Sequence, residues 1–139
     1  MKRKTVRERR SGCPISLALE IFGDTWSLLI VRDLMFKGYR TFNEFLGAGE
    51  GIASNVLSDR LAKLEAAGIL DKRQHPEDAR RYEYRLTKKG IDLAPAIVEI
   101  VLWSARHLDT DAPAPVVKSM TRERAKFLAG VRQAWQGSQ

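Results

Sequence analysis

The side chains with the most chemistry to offer fall into three groups. Asn55, Ser58, Asp59 and Lys63, with the small Ala62 among them and Ser54 at their start, recur at the spacing of one helical face. Asn and Ser donate and accept hydrogen bonds at short reach, and Asn can engage an adenine edge through two bonds at once. Asp59 opposes phosphate unless a cytosine amine or Lys63 answers its charge. The second group, Lys72, Arg73, Arg80 and Arg81, offers cations suited to phosphate, and Arg40 and Thr41 are further candidates ahead of the helical face. The third is Cys13, the sole cysteine, so any disulfide must form between subunits or with a small thiol. It precedes a helix start, where unpaired N–H groups favour negative charge, and six bases lie upstream. The rival reading makes Cys13 a buried small hydrophobe. Enzyme chemistry lacks its parts. His75 and His107 have no partner at metal-ligand spacing, no Ser-His-Asp set is present, and Gly47, Gly49 and Gly51 precede no Lys-Ser/Thr. No cofactor is expected.

The elements that must hold these groups can be read from pattern. Leu57, Leu61 and Leu64 form a narrow apolar stripe on a helix within 51–68, with Ser54 as its predicted cap and Gly68 as its left-handed end. An ordinary solvated face would carry long Glu and Lys side chains. Short polar ones let the backbone approach whatever lies outside, although a plain amphipathic helix is the rival. Thr41-Phe42-Asn43-Glu44 fits a capping box opening a short helix with Phe42, Phe45 and Leu46 inward. Helix, glycine turn and helix result. Ile69–Gln74 and Tyr82–Leu86 alternate as strands around the polar 75–81 loop, a wing, or else a merely solvated hairpin.

Upstream, Ile15–Phe22 reads as a helix stopping at Gly23. Asp24 or Thr25 would cap a buried central helix, Trp26–Met35, with Trp26 as a core anchor. Lys37-Gly38-Tyr39 is a turn and Arg40-Thr41 a single strand bridge. Downstream, Thr87 would cap a long helix to His107, kinked or opened at Pro95. Its apolar residues, including Leu93, Ile97, Ile100, Val101 and Trp103, exceed what one small core needs and imply a partner. The 109–117 segment, with Pro113 and Pro115, reads as a linker before a helix over 121–135 bearing Phe127, Leu128, Val131 and Trp135.

The chain of 139 residues fits one domain, mainly α with a small β-hairpin wing (α+β). Of its net charge of +7, residues 1–10 carry +5, a basic arm suited to a polyanion or to solubility alone. No apolar run approaches a membrane span and no signal-peptide core follows the arm. A lone cysteine fits a reducing cytoplasm.

Taken together, Cys13-Pro14, Gly23-Asp24-Thr25-Trp26-Ser27-Leu28-Leu29-Ile30, Arg40 to Phe45, Gly51 to Gly68 and Tyr82 to Gly90 resemble the HxlR-type, MarR-like family of bacterial winged helix-turn-helix transcriptional regulators. The resemblance runs from Cys13 to about His107. The basic flexible arm over 1–12 and the linker with an amphipathic helix over 108–139 are read from charge and pattern, and their roles stay open. The resemblance implies a winged domain with N- and C-terminal dimerisation helices over 13–107. It implies a homodimer on a palindromic operator in double-stranded DNA at the nucleoid. The first and last helices would pair, through Leu17 and Ile21 with Leu93, Ile97, Ile100, Val101 and Trp103. Several family members use a cysteine near the first helix to sense oxidants or aldehydes, and Cys13 holds that place. Others carry the cysteine with no redox role, so the resemblance is compatible with a small-molecule or electrophile effector and leaves its identity open. The alternative is a winged helix that binds protein and reads no DNA.

Overall fold

A computed structural model describes residues 10–139, so most of the expected basic arm lies outside the described residues. Two compact units follow one another, the first ending at Gly90 and the second spanning Ile91–Gln139.

In the first unit, helix α1 (Pro14–Phe22) starts on a proline, whose missing N–H is no loss in a first turn. It stops at Gly23, whose N–H donates to the Leu19 carbonyl. Asp24, rather than Thr25, organises the next start. Its Oδ1 accepts from the N–H groups of Trp26 (2.7 Å) and Ser27 (2.8 Å), and its Oδ2 accepts from the Ser27 hydroxyl (2.5 Å). Helix α2 (Ser27–Arg32) therefore begins one residue later than the pattern suggested. Ile30 and Val31 fill the core, while Trp26 is only half-buried and does not serve as its anchor. The helix continues as a π-helical turn, Asp33–Lys37, not anticipated from sequence. The buried Asp33 carboxylate there lies 2.8 Å from Arg32 and 3.7 Å from Lys37, and left-handed Gly38 (φ 68°) ends the turn. In place of a strand bridge at Arg40-Thr41 there is a single bond, from the Tyr84 N–H to the Arg40 carbonyl (2.8 Å).

Helix α3 (Phe42–Leu46) carries the expected capping box, with Glu44 N–H donating to Thr41 Oγ1 and Thr41 N–H to Glu44 Oε1. Buried Phe45 meets Tyr84 edge-on, ring centres 5.9 Å apart. Helix α4 (Ser54–Ala66) follows, then an antiparallel pair, β1 (Leu70–Gln74) and β2 (Tyr82–Leu86), with Leu70 opposite Leu86 and Lys72 opposite Tyr84. The alternation expected of β2 holds inward, where Tyr84 and Leu86 are buried.

The long terminal helix is opened, not merely kinked. A short α5 (Lys88–Ile91) ends before Asp92-Leu93, and α6 (Ala94–His107) restarts with Pro95 in its first turn. In the second unit, α6 packs with α7 (Ala114–Arg122) and α8 (Arg124–Gly137) around Val98, Leu102 and Met120, flanked by Val101, Val117, Phe127 and Leu128. The expected linker over 109–117 is thus half helix. Pro115 stands in the first turn of α7, where proline is favoured, and not in a spacer. The expected closing helix is likewise divided, at Glu123.

Candidate nucleic-acid interface

Helix α4 presents the predicted two-faced surface. Leu57, Leu61 and Leu64 are 0%, 2% and 1% exposed, which fixes that stripe in the core. Asn55, Ser58, Asp59, Ala62 and Lys63 face solvent, as does Ser54. Ser54 does not cap the helix. The capping position falls on extended Ala53 and no side chain accepts there, so the Ser54 hydroxyl belongs to the outer face. At the other end, Ile69 N–H bonds Leu64 O and Gly68 N–H bonds Glu65 O (both 2.9 Å), with Gly68 left-handed at φ 76°. These paired bonds satisfy carbonyls that helix ends otherwise leave open, and they set where the first wing strand departs.

Asp59 does not stand alone. It pairs with Arg60, and Lys63 Nζ lies 3.2 Å from its Oδ2. Arg60 also brings its Nε to 3.3 Å from Asp24 Oδ1, tying α4 to the turn before α2. The sequence reading passed over Arg60, because its position lies between the apolar stripe and the polar face. Burial pushes the Asp24 carboxyl up, but bonds from Ser27 and Trp26 and the nearby Arg60 charge prevail and hold it below the usual aspartate range. Glu44 is also held low, chiefly by the Arg40 N–H; burial opposes this, and the Thr41 N–H and hydroxyl and the Arg40 charge add to the lowering. The same carboxylate thus fixes the backbone at Arg40 and Thr41 (3.0 Å each).

The wing loop is ordered around Asp78. Its carboxylate accepts from the Arg80 N–H (3.0 Å) and its carbonyl from the Arg81 N–H (3.0 Å). The His75 N–H closes the loop onto the Arg81 carbonyl (2.8 Å). Held this way, the Arg80 side chain is 92% exposed, and Arg81 is exposed beside it. Arg73 is exposed, while Lys72 rests its ammonium 4.2 Å above the Tyr82 ring. Thr87 joins wing and helix: its hydroxyl bonds the Gly68 carbonyl (2.6 Å) and accepts from the Gly90 N–H (3.1 Å). The site residues from Arg40 to Arg81 therefore share one unit and one set of joints.

Outside this surface, Cys13 is exposed at the start of α1, its N–H on Ser11 Oγ (3.0 Å), so the buried-hydrophobe reading does not hold for the chain itself. Of the residues expected to pair subunits, Ile97 is buried and leaves no surface to offer, because helix α6 turns it inward. Leu17, Ile21, Leu93 and Val101 are half-buried, whereas Ile100 and Trp103 are half exposed. Ile15 (71%) and Leu19 (58%) are the more open apolar residues of α1, and the sequence reading did not single them out.

The sequence pattern of the HxlR-like helix-turn-helix family matches residues 21–112, which takes in every element from the end of α1 to the end of α6. This chain belongs to that family. Relatives of this HxlR-like chain include an uncharacterised HTH-type transcriptional regulator of Mycobacterium tuberculosis, 38% identical over 108 residues, covering 78% of this chain and 67% of that protein. Another, YvaP of Bacillus subtilis, is 38% identical over 98 residues, covering 70% of this chain and 90% of that one. Among solved structures, the redox regulator HypR in its oxidised form shares 28% identity and a TM-score of 0.62, covering 70% of this chain and all of that one. The HxlR-like chain is a transcriptional regulator of the helix-turn-helix type, and the relatives just named are regulators, not enzymes. Among the described residues, no single helix is long and apolar enough to cross a membrane, and no cluster of three metal-ligating side chains occurs.

Proposed function

We propose that this regulator reads a specific DNA sequence as a homodimer on a two-fold-related operator, with α4 in the major groove and the wing against the backbone. The observation that carries the reading is the outer face of α4: Ser54, Asn55, Ser58, Asp59 and Lys63 stand exposed opposite three buried leucines. Arg80 and Arg81 serve phosphate or the minor groove, Arg73 and Lys72 add positive charge to the wing, and Arg40 and Thr41 meet the backbone ahead of α3. The boundaries follow the same reading, with a basic arm over 1–12, the winged domain over 13–107 and an appended segment over 108–139. Two subunits paired through α1 and α6 would set their reading helices about 34–36 Å apart, one turn of duplex.

Cys13 is the proposed entry point of a signal. It is exposed at the head of a helix assigned to the interface, so an adduct or an intersubunit disulfide there would alter the spacing of the reading helices. The redox regulator HypR among the similar structures supports a thiol-reactive effector. The primary test is duplex binding across a salt series. A DNA reader loses affinity steeply as salt rises. A salt-independent or absent interaction with duplexes selected from genomic fragments would instead favour a protein-binding winged helix.

A further inference from the structure

We propose that the groove between the end of α6 and α7 binds a small organic monoanion with an apolar body. The groove measures about 630 Å³ and is built within the second unit alone. That size suits a small ligand, for which volumes of about 300–1,000 Å³ are usual. Its apolar wall comes from Ala105, Leu108 and Val117, and Leu108 is 57% exposed, a large apolar side chain left uncovered. Lys118 and Arg122 line the same groove one helical turn apart on α7. Neither side chain has a hydrogen-bond or ion-pair partner among the described residues. On α8, by contrast, Arg124 pairs with Glu99, and Arg132 reaches Asp92 at 2.7 Å.

Charge and shape together set the ligand class. Two free cations attract a carboxylate, which Arg122 can grip with two parallel bonds while Lys118 acts as a point charge. Asp109 lines the groove as well, which leaves a single net positive charge and disfavours polyanions such as a nucleic-acid backbone. The apolar body would lie along Leu108 and Val117. Helix α7 begins at Ala114, so the cationic wall lies outside residues 21–112, which the family pattern matches. Binding requires nothing of the DNA-reading role. Its consequence does rest on that role, because a ligand bracing α7 against the end of α6 would act on a helix assigned to subunit pairing.

The test is calorimetric titration of the full-length protein with octanoate at low ionic strength and without DNA, beside 1-octanol and acetate. Octanoate should saturate one site per chain, and each control should bind roughly tenfold more weakly or worse. Lys118→Gln with Arg122→Gln should weaken octanoate by roughly tenfold or more, Leu108→Ser should weaken it without altering charge, and Asp109→Asn should tighten it. Circular dichroism and thermal melting report whether each variant is folded. If the double variant is not, Leu108→Ser and Asp109→Asn decide. Failure to saturate in the millimolar range, equal binding of octanol, or an unchanged affinity in the folded double variant overturns the proposal. Operator affinity measured with and without octanoate then tests the regulatory consequence separately, so loss of DNA binding and loss of the anion site are distinguishable.

Discussion

Asn55 and Arg81 are expected to do different work, and their variants should fail differently. Asn55→Ala removes a side chain able to read one base edge. It should flatten preference at one operator position by about 1–3 kcal/mol, measured against a panel of single-base operator variants. Arg81→Ala removes a cation proposed to meet phosphate. It should weaken all duplexes alike and reduce the salt slope by about one unit. If Asn55→Ala lowers every duplex equally, α4 does not lie in the groove as assigned. Asp24 makes a prediction about pH. Its carboxyl is held below its ordinary value of 3.8, so the unfolded chain binds that proton more tightly than the folded one. The stability it contributes is full above the ordinary value and is lost as pH falls toward the folded one. Urea unfolding should therefore show Asp24→Asn clearly weaker near neutrality, with the gap to wild type closing below about pH 4. A constant gap would mean that the ionised form is not the one being stabilised.

At the scale of elements, the joint behind the wing depends on one missing side chain. A Cβ on Gly90 would overlap the Ile69 carbonyl and press on Leu86 Cδ2, which lies 2.9 Å from the Cβ position. Because backbone yields less readily than a side-chain tip, Gly90→Ala should destabilise the fold by about 1–3 kcal/mol in chemical denaturation. An unchanged midpoint would show that α5 can shift freely. How far such elements were legible depended on whether their signal is local. The stripe of Leu57, Leu61 and Leu64, the Thr41–Glu44 box and the alternation of β2 are one-dimensional patterns, and each forms as read. Pro113 and Pro115 misled because proline serves equally in a spacer and in a first helical turn, and what decides is Met120 packing against Val98 and Leu102. The π-helical turn has no periodic signature. The Arg60–Asp24 contact joins positions far apart in sequence, which spacing cannot reveal.

For the whole molecule, the proposed homodimer makes a claim that the apolar residues left open allow to be tested. Ile15 and Leu19 on α1, and Ile100 and Trp103 on α6, are each half exposed or more. Buried Ile97 is a poor test position, since charging it would harm the fold. Ile100→Asp with Trp103→Asp should instead leave a folded monomer of much reduced operator affinity. Sedimentation equilibrium checks the first point, and a wild type that is monomeric at micromolar concentration would refute the pairing. Treating wild type and Cys13→Ser with peroxide or a quinone tests the link to the signal. Wild type alone should change its operator affinity, whereas identical responses would move the signal elsewhere.

The Thr87 hydroxyl, shared between the end of α4 and the start of α5, bears on which operators can be tolerated. If α4 reads DNA as proposed, wing and helix joined at this root would move together, and neither would swing alone to recover a contact that the other has lost. Half-sites moved apart by one base pair should therefore forfeit groove and backbone contacts in the same step, so that mis-spaced sites are rejected outright and not bound with graded weakness. Divergence within such a regulator would then run through exchanged side chains on a fixed chassis, and operator spacing would change far more slowly than operator sequence.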